Sequence, residues 1–290
     1  MNTRRIIVAG STGYLGTHII KELQFRNADF EAITRNEIKL QAFGLKPQQI
    51  ITAEVTQPAT LNGVLQGADV LISTVGITRQ KDCATYMDVD YQANMNLLIE
   101  AKKAGIKKFI YISAINGEQM QHLKIMAAKE KFVNALKNWG SDYCIIRPNG
   151  FFSDMKDFLE MARKGRVYLF GNGEFKLNPI HGADLAKVVV DAAYSNQKEI
   201  EVGGPDILTQ NEIAKLALKA WKNPVKITHI PNYLRKMLIG FLRAFTSQKT
   251  YGPYEFFLTM MAQDNIAPRY GIHRIESFFE KEVDQLSKMN

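Results

Sequence analysis

Short apolar runs recur along the first half of the chain, and between them lie longer stretches in which apolar positions return every three or four residues. A run without alternation marks a strand buried on both faces, whereas a 3.6-residue period marks a helix with one covered side. Residues 5–9, 30–34, 50–53, 70–74, 108–112 and 143–147 read as strands, and residues 14–25, 91–103 and 123–139 as helices. Strand and helix in alternation predict an α/β fold, a doubly wound parallel sheet covered by helices.

Beyond Pro148 the pattern loses this regularity. A helix over 153–163, a strand over 167–170, a helix opening at "GADLAKVVVDAA" and a strand over 199–202 follow in turn. Thr209 with Glu212 three residues on is a capping box that opens a further helix. The change predicts a first domain over residues 1–150 and a smaller α/β domain over 151–290, partly interleaved with the first. The second is expected to cover the carboxyl ends of the strands, where ligands bind in open α/β sheets.

Composition narrows this picture only a little. With 290 residues, 46% hydrophobic and 23% charged, the chain can bury a sizeable core, and no tract is disordered by composition. The start "MNTRRIIVAG" has two arginines, but its apolar run ends in a glycine after Ala9, so it reads as a first strand and not as an export signal. No window is apolar for the roughly 18 residues of a membrane helix, which makes the cytoplasm the expected location. Cys83 and Cys144 stand in unlike contexts without metal-ligand spacing, so idle or buried thiols and no metal are expected. The net charge of +8 suits a phosphate-bearing ligand or an anionic surface. The basic residues look scattered, and the densest group, "KKAGIKK" at 102–108, reads as a solvated helix end, so nucleic acid is not an expected partner.

The strongest chemical signal is "VAGSTGYLGTHIIKEL". Gly10, Gly13 and Gly16 follow the first strand and open a helix, an arrangement that turns the backbone tightly and aims helix amides at a pyrophosphate. The spacing is one residue longer than the G-x-G-x-x-G of the dehydrogenase fingerprint. The second strand ends in "AITRN", where Arg35 stands in place of the carboxylate that would bind a ribose 2′-hydroxyl. A guanidinium there suits a 2′-phosphate, so NADP is expected over NAD. Glu54, with Val55 beside it, follows the third strand, where an acid can accept from an adenine amino group.

Taken in order, "GSTGYLG", "TRN", "STVG", "YISA", Lys129 and "SDYCIIRPNGFFSDM" resemble the atypical short-chain dehydrogenase/reductases, specifically their NmrA-like NAD(P)H-binding group. Within it the chain is similar to members related to divinyl-chlorophyllide vinyl reductases. The resemblance implies that Gly10, Ser11, Thr12, Gly13, Tyr14, Leu15 and Gly16 hold the pyrophosphate. It further implies that Thr74, Val75 and Gly76 pass under the cofactor, and that Pro148, Asn149, Gly150 and Phe151 border the nicotinamide. Ser113 and Lys129 match the serine and the lysine of a Tyr-x-x-x-Lys helix in active relatives, but the tyrosine position is Ile125.

Three readings of that gap stand side by side. Lys129 binds the ribose and supplies a proton, its pKa lowered by burial and cationic charge; His122 supplies it; or no reaction occurs and the nucleotide is structural or sensed, as in the accessory subunit of respiratory complex I that the chain resembles more distantly. Asp184 and His181 in "IHGADLA" read as a helix-end cap and a satisfied polar residue. The apolar, arginine-studded "PNYLRKMLIGFLRAF" reads either as lid and core helices or as a basic amphipathic helix in peripheral contact with a membrane. The sequence thus predicts an NADPH-dependent reductase of a bulky apolar carbonyl or unsaturated substrate, with a nucleotide-binding regulator or assembly factor as the alternative.

Overall fold

The computed structural model describes residues 4–77 and 84–288; Cys83 lies outside them. In chain order the elements are β1 (Ile6–Ala9), α1 (Tyr14–Phe25), β2 (Phe30–Thr34), α2 (Glu37–Gln41), β3 (Ile50–Thr52), β4 (Val70–Ser73), α3 (Asn94–Ala104), β5 (Lys108–Ile112), α4 (Lys124–Lys137) and β6 (Asp142–Pro148). There follow α5 (Lys156–Arg163), β7 (Val167–Phe170), β8 (Lys176–Leu177), α6 (Gly182–Ala192), β9 (Glu199–Val202), β10 (Leu208–Thr209), α7 (Gln210–Ala220), β11 (Ile227–Ile230), α8 (Asn232–Phe245), α9 (Gln248–Met260) and α10 (Ile275–Lys288).

The chain divides into two compact units, one of residues 1–147 and 185–200 and the other of residues 148–184 and 201–290. A seven-stranded sheet has the order β3-β2-β1-β4-β5-β6-β9, and the pairs from β3 through β6 are parallel. All four residues of β1 and of β4 are buried, the polar Ser73 included, as in strands covered on both faces. Order reverses between β1 and β4, which are paired with Ala9 opposite Ser73. This is the switch point at whose carboxyl edge doubly wound sheets form a crevice.

Helix ends explain most of the boundaries. α3 closes on Gly105 in the left-handed region, where a glycine carries no Cβ penalty. It does not begin at residue 91: a wider, five-residue-bonded turn over Met87–Ala93 precedes it. α7 begins with the expected box, Glu212 N–H donating to Thr209 Oγ1 at 3.1 Å and Thr209 N–H to the Glu212 carboxylate at 2.7 Å. The second unit has its own apolar core, built from α5, β7, α7 and α10 around Phe158, Leu159, Ile213, Leu218 and Phe279. Cys144 is buried in β6, and burial pushes its thiol up to about 11, an inert structural group.

Candidate functional site

The glycine turn is built from backbone. Gly10 has φ +78°, and a Cβ there would collide with the Thr74 side chain; a Cβ on Gly16 would strike the Gly10 carbonyl. Thr74 Oγ1 donates to Gly10 O at 3.1 Å, joining the turn after β1 to the segment after β4. α1 opens at Gly13 with neither a capping side chain nor an acid in its first turn, which leaves the positive end of its dipole unneutralised. Ser11 is fully buried and donates to Ile33 O at 2.7 Å, and Leu15 belongs to the core. Thr12 is exposed, and Tyr14 is half-buried with its ring edge-on to His18. A cradle that any Cβ would fill, beside a helix N-terminus, fits a pyrophosphate.

At the end of β2, Arg35 is 73% exposed, and its Nε lies 3.3 Å from Glu54 Oε2. The Glu54 carboxylate also accepts from Thr56 Oγ1 at 2.9 Å. Two residues that the sequence assigns to opposite ends of an adenosine thus face each other across β2 and β3. Val55 is fixed by Asn96, whose amide donates to the Val55 carbonyl at 3.0 Å.

The segment after β4 leads to Lys129. Asn94, fully buried, accepts from Ser73 Oγ at 2.6 Å and donates to Val75 O at 3.1 Å and Asp90 O at 3.0 Å. Asp90, also fully buried, stands 2.9 Å from Lys129 Nζ and accepts from Ile77 N–H at 3.3 Å. Gly76 lies directly over the pair, for its Cβ would come within 2.7 Å of Asp90 Oδ1 and 3.0 Å of Lys129 Nζ. The buried Tyr111 flanks them, with the ammonium 5.7 Å from its ring centroid. Burial opposes charge on Lys129, but Asp90 and then Tyr111 outweigh it and hold the ammonium above the ordinary lysine value. Burial lifts Asp90 above the usual carboxylate range, against the pull of Lys129, and lifts the Tyr111 phenol as well. The nearest charge to Lys129 is thus a carboxylate that holds the proton on, whereas the expected lowering rests on burial and on the cation of a bound nicotinamide.

Ser113 belongs to a different network. Its hydroxyl donates to Glu130 Oε1 at 3.0 Å and accepts from Arg147 Nη1 at 3.3 Å. Arg147 binds Glu130 through both ends of its fork, with Nη2 to Oε2 at 3.0 Å, and reaches Glu199 through Nε. Burial works against the Arg147 charge, and the two carboxylates reverse it, holding the group above its ordinary value. The single Ser113 proton is committed to Glu130, so the hydroxyl is not a free donor. Ile125 is buried with 4% exposure, and His122 is exposed ahead of α4 and not on its face.

In the second unit the 148–151 segment is held from within. Pro148 and Asn149 are buried and Phe151 is half-buried. Asn149 Nδ2 donates to Asn178 Oδ1 at 2.6 Å and to the Asn265 carbonyl, Gly150 has φ +67°, and Ile180 N–H donates to Gly150 O at 3.0 Å. Asp184 lies in the first turn of α6 and accepts from the Ile272 and His273 amides, both at 3.0 Å, tying down that loop, with His273 Nδ1 at 2.9 Å. His181 stacks on His273 and accepts from Ala183 N–H at 3.1 Å. No group of three or more potential metal ligands occurs among the described residues.

Sequence reasoning missed Asp90, Asn94, Glu130 and Arg147. The signal for the first two was the i, i+4 pair of short polar residues in "VDYQAN", just where apolar periodicity falters.

The chain is similar to several known proteins. Divinyl chlorophyllide a 8-vinyl-reductase of Cucumis sativus is 26% identical over 97% of this chain and 76% of its own length. Photosystem II assembly factor Ycf39 of a Synechocystis strain is 25% identical over 85% of the chain and 76% of its length. The NADPH-dependent quinone oxidoreductase QOR2 of Escherichia coli, solved with NADPH, superposes with a TM-score of 0.70 at 17% identity over 97% of this chain and 99% of its own, a likeness of fold. The family profile described as NAD(P)H-binding matches residues 10–196, from the glycine turn to beyond α6, and the chain belongs to that NAD(P)H-binding family.

Proposed function

We propose that the protein is an NADPH-dependent reductase of a bulky apolar carbonyl or conjugated unsaturated compound. One observation carries the reading: the glycine cradle, the Thr74–Gly76 segment and the Lys129–Asp90 pair adjoin one another inside a single unit, each within contact of the next. The bound cofactor would supply hydride. Gly10 to Gly16 would hold the pyrophosphate, Arg35 the 2′-phosphate with Glu54 yielding its place, and Lys129 the nicotinamide ribose. Asp90 keeps Lys129 cationic, which makes it first an anchor; its ammonium, directly or through water, returns the proton that completes the reduction. Ser113 acts as a positioning residue for the chain around Glu130 and Arg147. The named relatives include a vinyl reductase, and one of the structural neighbours is an NADPH-dependent quinone oxidoreductase. The test is a screen of quinones and conjugated enones read by NADPH absorbance; turnover with none of them overturns the reading.

A nucleotide-binding assembly factor is the second reading. The aliphatic, buried Ile125 at the expected tyrosine position and the Ycf39 relative favour it. Tight NADPH binding without oxidation of NADPH by any substrate distinguishes it.

A further inference from the structure

α8 is an amphipathic helix turned inside out. A surface helix ordinarily buries its apolar stripe and shows its charges. Here the most buried residue is Arg235, 9% exposed, which donates to Asn232 Oδ1 at 2.8 Å and to Leu258 O at 3.3 Å in α9. Tyr233, Met237, Phe241 and Phe245, each four residues after the last, are 62%, 64%, 58% and 73% exposed, and Leu234 and Leu238 widen the same face. Four large side chains in one row cannot be put down to the scattered apolar exposure of ordinary surfaces.

The segment of chain that contains this helix is one-sided in charge. Residues 213–254 hold eight Lys and Arg and no Asp or Glu, so the remaining 29 basic and 29 acidic residues cancel and the whole net charge of +8 resides in this segment. The apparent scatter of basic residues in the sequence conceals that localisation. Arg243 pairs with Glu255 and Lys219 with Glu276, the carboxylates packed nearest. Lys222, Lys226 and Lys236 are exposed and form no ion pair among the described residues. An aromatic and aliphatic face with Lys236 and Arg243 on the same helix, a helix too short and too charged to cross a bilayer, suits the plane between headgroups and acyl chains.

We propose that the exposed face of α8 seats the protein on an anionic phospholipid surface, with Tyr233, Met237, Phe241 and Phe245 entering the acyl boundary and Lys236 meeting headgroup phosphates. Positive charge makes self-association of this face unfavourable, because a second copy would bring like charges together.

The experiment is co-sedimentation of the full chain with vesicles of phosphatidylcholine alone or mixed with phosphatidylglycerol. The expected result is binding to the mixed vesicles only, weakened by added salt because headgroup attraction is screened. The double variant Met237→Asp, Phe241→Asp should lose at least about tenfold in bound fraction, as apolar insertion dominates affinity, and Lys236→Glu should lose less. The altered side chains are exposed, so unchanged circular dichroism and thermal midpoint are expected of all variants. No binding to either vesicle, or equal binding by wild type and the double variant, overturns the proposal. So does a wild-type dimer in light scattering that the double variant renders monomeric while neither protein binds vesicles, since a second copy would then cover the face.

Discussion

Lys129 and Glu130 are consecutive on α4, yet they serve opposite ends. Lys129 turns toward Asp90 beneath Gly76 and keeps 13% of its side chain exposed; Glu130 turns toward Arg147 and Ser113 and keeps 2%. The Glu130 carboxylate has both oxygens bonded by a guanidinium fork, so its acceptors are engaged within the pair. Among the described residues the Lys129 ammonium has one charged partner, Asp90, with the Tyr111 ring beside it and Gly76 so close that a Cβ there would come within 3.0 Å of it. A buried pair with its acceptors engaged serves the fold, whereas a pair with donors to spare can take a ligand. The glycine matters as much as the charges, since a Cβ at 76 would come within 2.7 Å of Asp90 Oδ1 and 3.0 Å of Lys129 Nζ.

Breaking the Glu130–Arg147 pair should give the largest effect. Glu130→Ala or Arg147→Ala strands a buried charge and is expected to lower stability by about 3–5 kcal/mol, whereas Glu130→Leu with Arg147→Met should lose much less. Urea unfolding of the three variants decides this, and a loss in the double variant equal to the sum of the two single losses would show that the two residues act independently.

At Lys129 the expected loss is catalytic. Lys129→Met should reduce single-turnover NADPH oxidation by about 10²-fold, which corresponds to about 2.7 kcal/mol, and, as it leaves the buried Asp90 without its cation, should lower stability as well. Full turnover in Lys129→Met would remove the lysine from the chemistry.

Cofactor choice tests the far end of the same path. Arg35→Ala should abolish a preference for NADPH over NADH of about 2 kcal/mol, the worth of one or two charge-assisted bonds. Paired fluorescence titrations measure it, and equal affinities in the unmutated protein would sink the 2′-phosphate assignment.

The smallest effect is one of pH. Since Asp90 raises the Lys129 pKa, the stability and ribose affinity that depend on the cation are fully present below the ordinary lysine value of 10.5 and are lost only as pH rises through the higher folded value. NADPH affinity is therefore expected to show no step from Lys129 through neutrality. In Asp90→Asn burial acts unopposed by that carboxylate, and the loss should move to lower pH. A titration in which both proteins step at the same pH would show that Asp90 does not set the Lys129 charge.

Where a local backbone or one unbroken apolar run imposes the answer, the sequence was legible. The six strands before residue 150, the helix 14–25 and the capping box of α7 follow from periodicity and caps within a dozen residues. The Gly10 turn was legible for the same reason, since only a residue without Cβ tolerates its φ beside Thr74. The helix expected from residue 91 starts with a wide turn because Asp90 and Asn94 are drawn to the loop after β4, a contact no local window contains.

By itself, then, the sequence determined the alternation of strand and helix, the parallel sheet and the nucleotide turn, all set by near neighbours along the chain. Tertiary structure alone decided what Lys129 and Ser113 face. Asp90 lies 39 positions before Lys129, and Arg147 lies 34 after Ser113, and only sheet order brings them together. A pKa follows the nearest buried charge and not the residue's own type, so the sign of the Lys129 shift was beyond the reach of the sequence.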